Sequence, residues 1–197
     1  MRPSAFYLFV GGASLPFVRG LFRLRQRGLE NLPASGGFVL ASNHVSNFDP
    51  WAIGVPLFPG RFLRFMAKSE LYWFPLGQLI SAGGAFPVRR GERDLEAMQT
   101  AVDLARAGHV VAMFPEGTRR RKGLRKKWEA KAHTGAARIA LDAGVPLVPA
   151  AIRGTDSLRR LGPIRVAYGK PLEIEGLTPE VATGRLMEEI ARLEASL

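Results

Sequence analysis

Residues 38–50 read Phe-Val-Leu-Ala-Ser-Asn-His-Val-Ser-Asn-Phe-Asp-Pro, and the fold class follows from this stretch. Phe38 to Ser42 is a short, nearly continuous apolar run, which marks a strand covered on both faces. Asp49-Pro50 then opens a helix, because aspartate favours the N-cap and proline the first helical position. Strand, polar turn and helix together make half of a βαβ unit.

The alternation continues downstream. Ala85 to Val88 reads as a short strand, and Glu92 to Ala107 as a helix with Leu95, Met98, Val102 and Ala105 on one face. His109 to Phe114 reads as a second buried strand. Pro115 to Lys127 is polar, glycine-punctuated and basic, hence a surface loop. A helix over Gly135 to Leu141, strands over Leu147 to Ile152 and Ile164 to Tyr168, and a closing helix over Thr178 to Leu193 complete the pattern. It predicts one α/β domain over residues 29–197, with a mixed, largely parallel sheet flanked by helices.

Upstream, Ala5 to Val18 is uncharged and apolar and is followed by Arg19, Arg23, Arg25 and Arg27. It falls short of the roughly 20 residues that span a bilayer. The basic residues follow the apolar run, the reverse of a secretory signal. Residues 1–28 therefore read as an apolar helical segment. It either lies in the interface of an anionic leaflet or packs on the domain's own core.

The chain has 197 residues, no cysteine and a formal net charge of +11. Disulfides, thiolate metal sites and cysteine nucleophiles are excluded. The charge calls for an anionic partner, whether nucleic acid, anionic lipid, phosphorylated substrate or acidic carrier protein.

Three places carry chemistry. His44 just past a strand and Asp49 at the next helix start come together if the connection curls back. A carboxylate on one imidazole nitrogen makes the other a better base. No Gly-x-Ser-x-Gly elbow accompanies them, so the attacking hydroxyl belongs to the substrate. A helix-capping Asp49 and an unrelated loop histidine account for the same residues and remain the alternative. The second place is Phe114-Pro115-Glu116-Gly117-Thr118-Arg119 after a buried strand, where Gly117 permits close approach and Arg119 can hold a phosphate. The third is Gly84-Ala85-Phe86-Pro87-Val88-Arg89-Arg90, a second strand running into arginines. A solvated basic surface is the plain alternative for both.

Asn43-His44 with Asp49, then Phe86 to Arg90, then Phe114 to Arg119, then Val145-Pro146-Leu147-Val148-Pro149 resemble the four ordered blocks of the glycerolipid acyltransferases, of the 1-acyl-glycerol-3-phosphate acyltransferase type. The resemblance implies that His44 takes the proton from a glycerol hydroxyl attacking an acyl thioester, with Asp49 orienting it and phosphatidic acid as product. It counts Asn43 among the substrate-binding residues. It places Arg90, Glu116, Gly117, Thr118 and Arg119 around the acceptor phosphate, and Val145 to Pro149 near the acyl or donor site. It implies no cofactor and no metal. Its partners are a lysophospholipid, acyl-CoA or an acyl carrier protein as donor, and the cytoplasmic face of an anionic cell membrane, with no nucleic acid. Where many family members carry a lysine close to the glycine after the third block, the chain reads Lys131-Ala132-His133-Thr134-Gly135, with Lys131 or His133 in that place. The rival readings are transfer to glycerol 3-phosphate, another lysophospholipid or a glycolipid, hydrolysis of the thioester, and a basic nucleic-acid-binding domain.

Overall fold

In the computed structural model, residues 5–89, 94–117 and 132–197 are described. Apolar runs and helical stretches alternate along them as α1 (Ala5–Gly20), β1 (Arg25–Arg27), β2 (Phe38–Ser42), α2 (Asp49–Gly54), β3 (Leu63–Lys68), α3 (Leu76–Ala82), β4 (Ala85–Val88), α4 (Leu95–Arg106), β5 (Val110–Met113), α5 (Gly135–Ala143), β6 (Leu147–Arg153), β7 (Arg165–Tyr168) and α6 (Pro179–Ala195). The strands form one sheet in the order β1-β7-β6-β2-β5-β3-β4. β2 to β6 run parallel to one another, β7 is antiparallel to β6, and β1 lies parallel to β7. The mixed, largely parallel α/β sheet is as the sequence pattern predicts, and β1 brings Arg25 to Arg27 into it ahead of residue 28.

Central strands buried on both faces read as unbroken apolar runs, and β2 shows why. Val39 and Ala41 enter a core formed with α4, α5 and α6, while Phe38 and Leu40 enter a second core with α2 and Tyr168. The first core is built largely of alanines, Ala101, Ala105, Ala136, Ala137, Ala140 and Ala182 among them, so helices and sheet approach closely. In α4 the buried face is Ala97, Ala101, Val102 and Ala105, with Met98 packed against the core. Leu95, placed on that face by periodicity, is exposed because the helix starts there, with Asp94 as its N-cap accepting from the Ala97 N–H at 3.0 Å.

Helix α1 packs one face on the domain and leaves the other exposed. Val18 is buried, Tyr7 packs edge-on against Phe62 at 4.5 Å, and the Leu63 N–H donates to the Tyr7 hydroxyl. Phe6, Phe9 and Phe17 point outward, with Phe9 72% exposed. Among the described residues, no helix is long and apolar enough to cross a membrane.

His109 sits buried between α4 and β5, edge-on to Phe62, and its Nε2 has no hydrogen-bond partner among the described residues. Burial, helped by the Arg64 guanidinium, pushes its pKa below the ordinary imidazole value. The unfolded chain therefore binds this proton more readily than the folded one. The stability His109 contributes is present above the ordinary imidazole range and drains away as the pH falls through it. Thermal melts from pH 7 to pH 5 are expected to show a smaller loss of stability for His109→Gln than for the native chain; parallel curves would refute the assignment.

Candidate active site

The parallel strands point their carboxyl ends to one edge of the sheet, where ligands of open α/β sheets bind. β2 delivers His44 there, β6 on one side delivers Arg153-Gly154-Thr155, and β5 on the other delivers Phe114-Pro115-Glu116-Gly117.

The turn after β2 curls back, so that His44 Nδ1 lies 2.7 Å from Asp49 Oδ2. That same oxygen accepts the N–H groups of Val45 at 2.7 Å and Ser46 at 2.9 Å. The other oxygen, Oδ1, accepts the Thr155 hydroxyl at 2.5 Å. Asp49 is fully buried, and four donors offset the cost of taking a carboxylate out of water. Among the described residues none of its bonds goes to the backbone of α2, so Asp49 does not cap its helix. It organises the turn and the imidazole instead. With the carboxylate facing Nδ1, the proton is placed on Nδ1 and Nε2 is left as the acceptor.

Two further side chains fix the ring. Phe114 stacks on the imidazole with centroids 4.2 Å apart and planes 23° apart. Asn43, also fully buried, accepts the Ile152 N–H at 2.8 Å and donates to the Ile152 carbonyl at 3.0 Å. Its amide ties the end of β2 to the end of β6. Counted among substrate-binding residues in the sequence, Asn43 has its amide committed to this backbone and supports the turn that carries His44.

The remaining candidates fall unevenly. Gly117 turns at φ +67°, with its N–H donating to the Phe114 carbonyl. A Cβ there would lie 2.6 Å from the His133 ring, and the His133 N–H donates to the Pro115 carbonyl. His133 therefore closes over this turn. Glu116 is partly exposed beside it. Arg90, Thr118, Arg119 and Lys131 lie outside the described residues. Arg89 stands at the end of β4, three strands from β2 and so about 14 Å across the sheet. Its guanidinium pairs with Asp94 at 3.8 Å. The backbone N–H groups of Arg89 and Ala97 hold the Asp94 carboxyl below its usual range.

The block Val145 to Pro149 is not at this edge. It leads into the amino end of β6, where Leu147 is paired with Val39 and buried in the core. At about 3.3 Å per residue Leu147 lies roughly 16 Å back along the sheet from His44, and Pro149 roughly 10 Å. The carboxyl end of that strand reaches the site instead, through Thr155. Sequence reading misses Thr155, 106 positions from Asp49, and includes Phe114 in the second stretch without its stacking role.

Two concavities flank the dyad. One, of about 360 Å³, is apolar and runs between α1, α2, β3 and α3, with Phe6, Val10, Trp51, Phe58 and Leu79 in its walls and Asn47 and Pro50 at the turn bearing the dyad. The other, of about 400 Å³, lies between Ser46, Phe48 and residues 155–160. Among the described residues, no cluster of His, Cys, Asp or Glu suits a metal ion.

The family model Acyltransferase matches residues 23–153. A 1-acyl-sn-glycerol-3-phosphate acyltransferase of Bacillus subtilis is 36% identical over 149 residues, covering 73% of this chain and 70% of the relative. A chloroplastic 1-acyl-sn-glycerol-3-phosphate acyltransferase of Brassica napus is 31% identical over 158 residues, and there the match spans 44% of the relative's length. In three dimensions the chain resembles the 1-acyl-sn-glycerophosphate (LPA) acyltransferase PlsC from Thermotoga maritima. The TM-score is 0.71 at 23% identity, over 97% of this chain and 78% of that one; the likeness is one of fold.

Proposed function

Because the chain belongs to the Acyltransferase family, we propose that it moves a fatty acyl group from an acyl thioester to the free hydroxyl of 1-acyl-glycerol 3-phosphate, forming phosphatidic acid. The observation that carries this reading is the buried His44–Asp49 pair, whose Nδ1 is committed and whose neighbouring Ser42 and Thr155 hydroxyls donate to other side chains. Ser42 donates to Asn43, Ser46 accepts from the Phe48 N–H and Thr155 donates to Asp49. The hydroxyl that a base here would activate comes from the substrate.

The steps follow from that geometry. Nε2 takes the proton as the acceptor oxygen attacks the thioester carbonyl, and the imidazolium that forms is stabilised by Asp49. The tetrahedral intermediate collapses, the carbon–sulfur bond breaks, and the proton passes from Nε2 to the departing thiolate. Products are the new ester and a free thiol. No residue is acylated.

The apolar cavity beside α2 suits the acyl chain, since sites of its size and lining bind small apolar ligands. Arg159 and Arg160 along the second groove suit the phosphates of coenzyme A or of a carrier-bound pantetheine. The turn after β5 and the arginines after β4 receive the acceptor phosphate, with Glu116, Gly117, Thr118, Arg119 and Arg90 in that role. The outward Phe9 and Phe17 of α1 next to Arg19 suit an anionic leaflet, which is also where the lysophospholipid acceptor resides. On this reading the enzyme works at the cytoplasmic face of the cell membrane.

The test pairs lysophosphatidate, other lysophospholipids and glycerol 3-phosphate with acyl-CoA and acyl carrier protein on anionic and zwitterionic vesicles. Thiol release dependent on lysophosphatidate and faster on anionic vesicles is the expected outcome. Thiol release without any acceptor would instead make the protein a thioester hydrolase.

A further inference from the structure

We infer that Thr155 is a positioning residue for the transfer reaction, holding the Asp49 carboxylate at the angle that keeps His44 in its working orientation. The inference rests on the reading of His44 and Asp49 as the catalytic pair and extends it by a residue outside the region matched by the family model.

The geometry is specific. Oδ2 of Asp49 has three donors, His44 Nδ1 and the N–H groups of Val45 and Ser46, whereas Oδ1 has Thr155 as its donor among the described residues. The Thr155 hydroxyl sits at 2.5 Å, within the range of a bond to an ionised acceptor. Both residues are buried, Thr155 2% exposed and Asp49 fully covered. Without the hydroxyl, Oδ1 would be stranded out of water, and the carboxylate could recover a partner only by rotating about its Cβ–Cγ bond. That rotation would draw Oδ2 off the imidazole.

Thr155 is itself placed by backbone rather than by chance. Gly154, at φ +95°, breaks β6 immediately before it, and a Cβ at Gly154 would lie 2.3 Å from the Pro163 carbonyl oxygen. The Ser157 N–H donates to the Gly154 carbonyl, so the chain turns at once into the short 3-10 helix Thr155–Arg160. Asn43 anchors the preceding residues through both backbone groups of Ile152. Two ties therefore join the ends of β2 and β6, one through Asn43 to the backbone and one through Thr155 to the carboxylate. Asn43 sets the distance between the strands; Thr155 sets the torsion of the Asp49 carboxylate.

The experiment compares Thr155→Ser, Thr155→Ala and Thr155→Val, with kcat and KM for both substrates and a thermal melt for each. Serine keeps the hydroxyl, valine keeps the shape without it, and the serine and alanine variants differ by the hydroxyl alone. Loss of a hydrogen bond to a charged group predicts a fall in kcat of about 10- to 100-fold for alanine and valine, with KM values changed less than about twofold. Serine should stay within about threefold of the native kcat. Equal kcat for the serine and alanine variants overturns the inference, as does a loss that appears in KM alone. His44→Ala is run alongside. If it is inactive while every Thr155 variant works at the native rate, the catalytic pair stands and only the role of Thr155 falls. If His44→Ala retains the native rate, the reading beneath it falls as well.

Discussion

His44→Ala is expected to lower kcat about 1,000-fold, in the middle of the range that general acid–base catalysis supplies, while the KM for lysophosphatidate stays within about twofold. A thousandfold loss corresponds to about 4 kcal/mol of transition-state stabilisation. The split between kcat and KM follows from where the imidazole stands. It lies against Phe114 and Asp49 at the end of β2, whereas the anion-binding candidates follow β4 and β5. Removing it deletes the proton acceptor without touching the groups assigned to the phosphate. Folding should survive, because Asp49 Oδ2 keeps the Val45 and Ser46 N–H groups and the space vacated beside Phe114 opens at the site. A kcat within about fivefold of native in a folded variant would remove His44 from the mechanism.

The parts of this architecture legible in sequence are those written locally. β2 is an apolar run because both its faces are buried, and α6 announces itself with Thr178, whose hydroxyl accepts the Val181 N–H ahead of Pro179. β3 was not legible. Leu63 and Ala67 are buried but Arg64, Phe65 and Met66 are half-covered, so its residues show neither alternation nor an unbroken apolar run. Periodicity puts Leu95 on a buried face because it cannot tell the first turn of a helix from its middle.

The site was legible to the same degree. His44 and Asp49 are five residues apart, within the range where one turn can be imagined, and their chemistry is written in their types. Spacing does not decide whether Asp49 caps a helix or holds a histidine, because both uses take an aspartate at the helix start. The structure decides it through bonds made to the turn and to Thr155. Asn43 looked like part of a recognition motif because it adjoins His44, yet alternation across the strand end turns it inward to Ile152. The block Val145 to Pro149 misled for the opposite reason. Its pattern is that of a strand entering the core, and its contribution to the site comes at the far end, seven residues after Val148.

Asp49→Asn separates the charge of this carboxylate from its shape, and the surrounding donors make the substitution unusually clean. An asparagine oxygen in the Oδ2 position can still accept from His44 Nδ1, Val45 and Ser46. Its amide nitrogen then falls at the Oδ1 position, against the Thr155 hydroxyl, which can turn from donor to acceptor. The fold and the imidazole tautomer are therefore expected to persist, with a melting temperature within a few degrees of native. What disappears is the negative charge that stabilises the imidazolium while Nε2 holds the substrate's proton, and kcat should fall about 100- to 1,000-fold. Asp49→Ala behaves differently. It strands the N–H groups of Val45 and Ser46 and the Thr155 hydroxyl in a buried site, so a stability loss of about 2–5 kcal/mol joins the catalytic loss. If Asp49 served structure alone, the asparagine variant would keep nearly full kcat and activity would track the folded fraction in both variants. A folded Asp49→Asn enzyme with kcat within threefold of native would establish that role and end the case for a charged partner to His44.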